Sequence, residues 1–483
     1  MSRCTRELVF PPLARLHPND CSGPSTVVSE LKVIGRHAGA VLVGQLAVMA
    51  FGVADTVIAG RYSDQALAAL SVGSAIYISV YVGLIGVVQG LLPIWAELHG
   101  SHQPAVLGQS LRQSLYLCIA LTVAGMAALL FPGPLLRWAQ VPEAMQGEVR
   151  AYLAVLAAAL LPSLLFRAYS TFNQSLGRPL LVTWLQLGAL AVKLPLSVWL
   201  VAGGAGLAPS GVVGCAWATL AVNYGLLGVA VVMLRTQAFY RPYRLWTGME
   251  KPDWHQVGVF ARLGIPGGLA YLVEVTSFTL MALFIARLGT VATASHQIAA
   301  SVASVLYMVP LSMAIACSAR VSFWIGAGRP DQAQRVVWIG FRLTALSALA
   351  LATTLLIANQ GVAAFYSHNP AIVGLGSGLL LWVVIYHLAD AMQALCAFLL
   401  RCYRITLTPL LLYSVLLWGL GLLGGYLLAY EGVGPWPATR SATTFWAAST
   451  VALSLVALCF VALLWRAVRR SLAGSTAGTA APA

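Results

Sequence analysis

The sequence predicts an all-α polytopic membrane protein, with twelve transmembrane helices arranged as two pseudo-symmetric six-helix bundles. The composition is 59% hydrophobic and only 9% charged, whereas soluble proteins average 45–50% and about 25%. The length of 483 residues accommodates twelve crossings of roughly 20 residues, about 240 in all. This composition excludes a water-soluble enzyme.

Twelve apolar runs are separated by polar or Pro/Gly-rich stretches. The second, seventh, eighth and tenth exceed the length of a perpendicular crossing, which favours tilt or extension beyond the bilayer. The runs cover residues 39–60, 66–95, 111–132, 151–170, 180–202, 212–234, 258–287, 295–325, 336–357, 372–400, 407–430 and 443–465.

The basic residues indicate the orientation. Of the 28 Lys and Arg residues, this assignment puts 22 on the side of both termini, 5 on the opposite side, and Lys193 alone within a span. The positive-inside rule therefore predicts that both termini are cytoplasmic. Because the net charge of +14 is spread over short loops, we expect membrane lipid rather than nucleic acid as a partner.

The polar segments divide the chain. We predict a largely disordered cytoplasmic extension at 1–38, an N-terminal lobe at 39–240, a cytoplasmic inter-lobe loop at 241–257, a C-terminal lobe at 258–466 and a disordered tail at 467–483. The first 38 residues contain no apolar stretch long enough for a signal peptide. The tail consists mainly of small residues, which can bury almost nothing.

A weak internal repeat relates the two halves. A shift of 226 positions aligns Arg61 with Arg287, Gly100 with Gly326, Pro104 with Pro330 and Arg178 with Arg404. Because each half has six crossings, the repeat is parallel and its pseudo-twofold axis follows the membrane normal. This arrangement is typical of transporters that rock two bundles around a central site.

Three acidic residues fall inside predicted spans: Asp55 in the first, Glu274 in the seventh and Asp390 in the tenth. A charge at mid-bilayer costs on the order of 2.5–3.5 kcal/mol on insertion scales, so such residues normally face a polar cavity or a partner. We interpret them as a coupling site for a cation or proton. The alternative is a protonated carboxyl group hydrogen-bonded between helices, with no transport role.

Neighbouring residues fit a coupling site. Tyr386 and Asp390 are four residues apart and share a helix face, as do Glu274 and Phe278. A small hard cation needs several oxygen ligands, whereas a proton needs one carboxylate. Both coupling ions, Na⁺ and H⁺, therefore stay open. Glu274 and Asp390 would be metal ligands only with sodium, and no other cofactor is expected.

Lys193 is the one cation predicted within a span. It lies about nine residues from the nearer end of that span, roughly 14 Å at 1.5 Å per residue, too deep for its stem alone to reach bulk water. Asp55 is the only acid within the spans of the same lobe, so we predict that the two form an ion pair. The alternative is an unpaired Lys193 in the central aqueous cavity.

Several segments resemble the multidrug and toxic compound extrusion (MATE) family, NorM-type branch, in the expected order over roughly residues 31–465. They are Val53-Ala54-Asp55-Thr56, Gly214-Cys215-Ala216-Trp217, Leu263-Gly264-Ile265-Pro266, Glu274-Val275-Thr276, Ser295-His296-Gln297 and Asp390-Ala391-Met392-Gln393. The resemblance implies two six-helix lobes that export amphipathic, often cationic, organic compounds by antiport against Na⁺ or H⁺. It implies a bacterial inner-membrane location and coupling roles for Glu274, Asp390, Tyr386 and Asp55, and we expect a monomer.

One segment departs from the family pattern. Where such transporters commonly show an Asn-x-Pro-x-Asn stretch, the fifth span reads Lys193-Leu194-Pro195-Leu196-Ser197. Two neutral amides are thus replaced by a cation and a hydroxyl, so N-terminal lobe chemistry is expected to differ.

Two other functions are alternatives to a drug transporter. A lipid-linked precursor flippase of the same superfamily would need a cavity rich in arginine to hold a pyrophosphate, and our assignment puts no Arg at mid-span. A membrane-embedded enzyme would need a motif such as HExxH or GxSxG, and neither occurs. We therefore expect a transporter rather than an enzyme.

Overall fold

The computed structural model describes residues 27–138, 142–203, 206, 208–435 and 437–479. In the N-terminal half the α-helices are α1 (Val27–Tyr62), α2 (Asp64–Gln89), α3 (Leu92–Gly100), α4 (Pro104–Leu130), α5 (Gly133–Trp138), α6 (Glu143–Ser175), α7 (Pro179–Ala202) and α8 (Val212–Thr236). In the C-terminal half they are α9 (Trp254–Ala286), α10 (Thr290–Gly326), α11 (Pro330–Tyr366), α12 (Pro370–Cys402), α13 (Leu407–Ser414), α14 (Gly424–Tyr426) and α15 (Ala442–Thr479), with π-helical turns at Val415–Leu423 and Leu427–Glu431.

Twelve helical segments of the described chain are long and apolar enough to cross a membrane, which confirms the predicted number. The second span joins α2 to α3, and the eleventh joins α13 to α14 through the π-helical turns. Several helices run well past the predicted apolar runs, because their polar ends continue the helix outside the hydrophobic stretch.

Each half builds its own helix packing. In the N-terminal half α6 packs against α2, α4 and α8, and α7 packs against α1 and α8. In the C-terminal half α12 is central and contacts α10, α11 and α15. The apolar core follows the same division, since one buried cluster lies mainly in the C-terminal half and two lie mainly in the N-terminal half.

The halves meet along α2 with α9, and along α1 and α3 with α10. Glycines allow the helices to pack closely at this contact. A Cβ atom built on Gly268 would lie 2.3 Å from the carbonyl oxygen of Gly83, and a Cβ atom built on Gly100 would lie 2.0 Å from the carbonyl oxygen of Phe323. Only glycine allows backbones to approach so closely. The described apolar cluster around Leu70 and Leu153 contains no residue of the C-terminal half.

Two ion pairs reinforce the same end of the interface. Arg404 Nη2 lies 2.5 Å from Glu97 Oε2, and Arg320 Nη2 lies 2.6 Å from Glu30 Oε1. The indole Nε1 of Trp324 also donates to Glu30 Oε1 at 3.1 Å. Each pair joins the N-terminal half to the C-terminal half, so together they close this end of the molecule.

The predicted disordered ends are wrong in part. Helix α1 begins at Val27, and Glu30 is 97% buried against Arg320, because an ion pair that sequence cannot reveal docks this segment. Helix α15 continues to Thr479, and Ala467 and Val468 are buried, so packing carries the helix past the predicted span. Residues 1–26 and 480–483 of the two predicted ends lie outside the described residues.

The inter-lobe loop is fastened to α4. Arg112 forms an ion pair with Glu250 and donates to the carbonyl oxygen of Arg244 at 2.6 Å. The Gln113 amide donates to the carbonyl oxygen of Lys251 at 3.0 Å, and its Oε1 accepts from the backbone N–H of Asp253 at 2.9 Å. The loop is therefore an ordered attachment to the N-terminal half.

Candidate functional site

The two predicted acids of the C-terminal half lie in one region between α9 and α12. Asp390 is 5% exposed, whereas Glu274 is half-buried. Their carboxyl groups interact electrostatically. Two like charges in a poorly solvated site repel each other, so a cation or proton bound between them is favoured.

An aromatic wall stands beside these acids. Tyr386 lies one helical turn before Asp390 and is 3% exposed. Its ring makes edge-on contacts with Phe278 and Trp446, at centroid distances of 6.0 Å and 5.7 Å. His296 accepts a hydrogen bond of 3.2 Å from the indole Nε1 of Trp446, so it packs as a polar support for the wall.

Two tyrosine hydroxyl groups that sequence reasoning did not identify lie near these acids. The hydroxyl groups of Tyr413 and Tyr307 lie within electrostatic range of both Glu274 and Asp390. Asp390 Oδ1 and the Tyr413 hydroxyl are buried without a hydrogen-bond partner among the described residues. Carboxylate and hydroxyl oxygens of this kind suit either a small hard cation or a proton.

Local sequence explains how α9 presents Glu274. Pro266 lies inside the helix, where its missing N–H and its ring favour a bend. Ten residues later, just beyond Glu274, the side chains of Thr276 and Ser277 donate to backbone carbonyl oxygens at 2.7 Å and 2.8 Å. Trp418 Nε1 donates to the carbonyl oxygen of Val273 at 3.2 Å. These bonds fix the backbone on both sides of the acid.

Asp55 and Lys193 form an ion pair inside the N-terminal half. Lys193 Nζ lies 2.6 Å from Asp55 Oδ2, and Ser197 Oγ lies 3.5 Å from Asp55 Oδ1. Lys193 is 2% exposed and Asp55 is 7% exposed, and the ammonium also lies 5.1 Å from the centre of the Phe51 ring. The two charges therefore neutralise each other. Both belong to the N-terminal half, whereas Glu274 and Asp390 belong to the C-terminal half.

Two arginines lie inside transmembrane helices, each nearer to the end of its helix than to mid-span. Arg167 lies inside α6, eight residues before its last residue, or about 12 Å along the axis. Arg401 lies near the end of α12 and is 6% exposed. The sequence assignment counted both with loops because each is close to a polar boundary, although 151–170 had already been identified as apolar.

Two of the residues that sequence reasoning missed carried a usable signal. Tyr271 precedes Glu274 by three residues and therefore shares its helix face. Arg167 interrupts an apolar run, which is the criterion that identified the acids. Tyr307 and Tyr413 carried no such signal, because tyrosine is common at membrane interfaces and only the packing of α10 and α13 brings these two to the acids.

Comparison with known proteins identifies the family. The MatE family model matches residues 40–199 and 266–427, once in each half. The chain is 38% identical over 445 residues to a probable multidrug resistance protein NorM of Aromatoleum aromaticum, covering 92% of this chain and 96% of the relative. It is 33% identical over 449 residues to a protein of the same description from Chromobacterium violaceum, with the same coverage.

A solved structure supports the fold. The crystal structure of the eukaryotic MATE transporter AtDTX14 superimposes with a TM-score of 0.82 at 18% identity, covering 93% of this chain and 99% of that one. Together with the family match to both halves, this similarity distinguishes the protein from an enzyme. The chain belongs to the MATE family of membrane transporters.

Proposed function

We propose that the protein exports amphipathic, often cationic, organic compounds by antiport against Na⁺ or H⁺. The multidrug resistance names of its relatives support the substrate class. The observation that carries the coupling mechanism is the pair of interacting carboxyl groups, Glu274 and Asp390, lined by tyrosine hydroxyls in one half of the molecule.

The carboxylates couple the two fluxes through competition. When both are ionised, their mutual repulsion favours a cationic substrate nearby. Entry of a sodium ion or a proton removes that negative charge and weakens the hold on the substrate. For export of a neutral or zwitterionic compound, one coupling charge moving down about 100 mV yields roughly 2.3 kcal/mol, or about fiftyfold in concentration. One-for-one exchange with a monovalent cationic compound moves no net charge, so it draws on the concentration gradient of the coupling ion alone.

The ion pair in the N-terminal half supports a coupling site in the C-terminal half alone. Asp55 already has Lys193 as its counter-ion at 2.6 Å, so it holds no uncompensated charge for a proton or sodium ion. Glu274 and Asp390 then carry coupling alone, with Tyr386 as a neighbouring phenol. Asp55 and Lys193 serve the packing of α1 against α7.

Transport follows from rocking of the two halves. The glycine contacts and the Glu97–Arg404 pair close one end, and the distribution of basic residues assigns that end to the cytoplasm. These observations support a state that is closed at the cytoplasmic end, in a bacterial inner membrane with both termini cytoplasmic. A single chain contains both halves, so a monomer suffices.

Proteoliposome efflux tests this function. The purified protein is reconstituted with a fluorescent organic cation, and sodium and proton gradients are imposed separately. We expect dye movement with one of the two gradients and none without either. Empty liposomes and liposomes containing the Glu274→Gln variant serve as controls for leakage. Dye transport that is indifferent to both gradients would contradict the antiport mechanism.

A further inference from the structure

The connection between α8 and α9 presents a basic and aromatic surface. It lies between the span that ends at Thr236 and the span that begins at Trp254. Trp246 is 55% exposed and Trp254 is 73% exposed, and basic side chains are exposed beside them. We call this surface the basic–aromatic patch, and its residues are Arg235, Arg241, Arg244, Trp246, Lys251 and Trp254.

The positive charge of this patch is not balanced by acids of the same connection. None of the five ion pairs found among the described residues includes any of its four basic side chains. Glu250 is bound to Arg112 of α4. Asp253 Oδ1 accepts from the backbone N–H groups of His255 and Gln256 at 3.0 Å and 3.2 Å. Four cations therefore stand against a single carboxylate that lacks a basic partner, and this excess suits an anionic partner.

Direct contacts hold the patch in place. The indole Nε1 of Trp246 donates to the carbonyl oxygen of Leu234 at 3.3 Å, and the guanidinium carbon of Arg235 lies 5.7 Å from the centre of the same indole. The carbonyl oxygen of Arg244 accepts from Arg112 Nη1 at 2.6 Å and from the Thr247 hydroxyl at 3.0 Å. The basic and aromatic groups thus have a fixed arrangement at the end of α8.

The attachment to α4 sets the depth of the patch relative to the membrane. Gln113 Nε2 donates to the carbonyl oxygen of Lys251 at 3.0 Å, and the Tyr116 hydroxyl donates to that of Glu250 at 2.7 Å. Gln113 and Tyr116 are the third and sixth residues of the apolar run 111–132. The connection therefore reaches the level at which the hydrophobic part of α4 begins. At this level tryptophan is enriched and basic side chains meet lipid phosphates.

We propose that the basic–aromatic patch binds the headgroups of anionic phospholipids in the cytoplasmic leaflet. The indoles of Trp246 and Trp254 lie among the headgroups, and the four basic side chains contact phosphate oxygens. A lipid fits better than a soluble anion, because two exposed indoles accompany the charge at the depth of the membrane interface. The leaflet follows from the orientation that the basic residues predict. The proposal goes beyond export, because it requires neither a transported compound nor a coupling ion.

Lipid binding to the purified full-length protein tests this proposal. Phosphatidylglycerol and phosphatidylcholine with identical acyl chains are titrated into the same detergent, and native mass spectrometry measures the bound lipid. We expect the wild type to prefer phosphatidylglycerol. The triple variant Arg235→Gln/Arg241→Gln/Arg244→Gln should bind phosphatidylglycerol at least about tenfold more weakly, since each basic residue near an anionic surface contributes roughly fivefold. Its affinity for phosphatidylcholine should change by less than about twofold.

Three exposed arginines of α15 provide a matched control. The variant Arg466→Gln/Arg469→Gln/Arg470→Gln removes the same number of charges outside the patch. We expect it to keep its affinity for phosphatidylglycerol within about twofold, because a built patch, unlike general attraction, depends on where the charges are.

Three results would overturn the proposal: equal losses in the two triple variants, no preference of the wild type for phosphatidylglycerol, or full displacement of the lipid by sn-glycerol 3-phosphate. If the patch variant is not monodisperse on gel filtration, Arg241→Gln/Lys251→Gln decides, and an unchanged affinity there also overturns it. The assay uses no dye and no ion gradient, so failure of the proposed antiport would leave its result unchanged.

Discussion

Removing one partner of the Asp55–Lys193 pair should be far more damaging than removing both. Lys193→Met leaves a carboxylate that is 7% exposed, with a single long contact of 3.5 Å to Ser197 Oγ. Asp55→Asn leaves an ammonium group that is 2% exposed. Breaking a buried pair in this way costs about 3–5 kcal/mol, whereas replacing both charges by neutral groups is often close to neutral.

The combined variant should therefore recover part of the loss. We expect each single substitution to lower the free energy of unfolding by about 3 kcal/mol or more, and the double variant to restore roughly 1–3 kcal/mol relative to the sum of the singles. Unfolding is followed in lipid nanodiscs by tryptophan fluorescence, and efflux is measured on the same preparations. Efflux should track the folded fraction, because the pair has no coupling role in our proposal.

Additivity would refute this reasoning. If the defects of Asp55→Asn and Lys193→Met simply add, the two charges do not interact in the folded membrane protein. If the double variant folds as well as wild type but loses gradient-driven efflux, Asp55 is a coupling residue after all. The Ser197→Ala variant is a matched control, since it removes only the long contact and should cost less than about 1 kcal/mol.

Three other experiments give separate tests. Glu274→Gln and Asp390→Asn should each abolish gradient-driven efflux at unchanged expression, because an amide keeps the shape but cannot cycle charge; full efflux by both would reject the site. Gly100→Val should open the closed end, since even a Cβ atom would lie 2.0 Å from a neighbouring carbonyl oxygen, and thiol labelling of the buried Cys402 at the end of α12 should rise rather than stay constant. Reporter fusions after Arg241 and Arg404 should both read as cytoplasmic, and a periplasmic signal would break the two-lobe topology.

The number of spans was predictable because composition and apolar run length decide it locally. The acids were predictable for the same reason, since Glu274 and Asp390 stand out against apolar neighbours. Helical spacing also placed Tyr386 on the face of Asp390. These inferences need only one helix at a time, and the hydrophobic environment makes any exception conspicuous.

Features that depend on contacts between distant segments could not be predicted. Docking of residues 27–38 requires Arg320 to meet Glu30, which is 290 positions away. The phenol of Tyr413 joins the acids only because α13 packs against α9. Arg167 is different: its position in an apolar run was visible, but assigning basic residues to loops concealed it.

Cation flux driven by substrate tests the central claim most directly. Proteoliposomes with no ion gradient receive an imposed gradient of a transported dye, and movement of Na⁺ and H⁺ is recorded with ion-sensitive probes. The account predicts that wild-type protein moves one of these cations opposite to the dye, and that the Glu274→Gln/Asp390→Asn double variant does not. Dye movement by the wild type without any cation flux, or equal cation flux in the double variant, would contradict it.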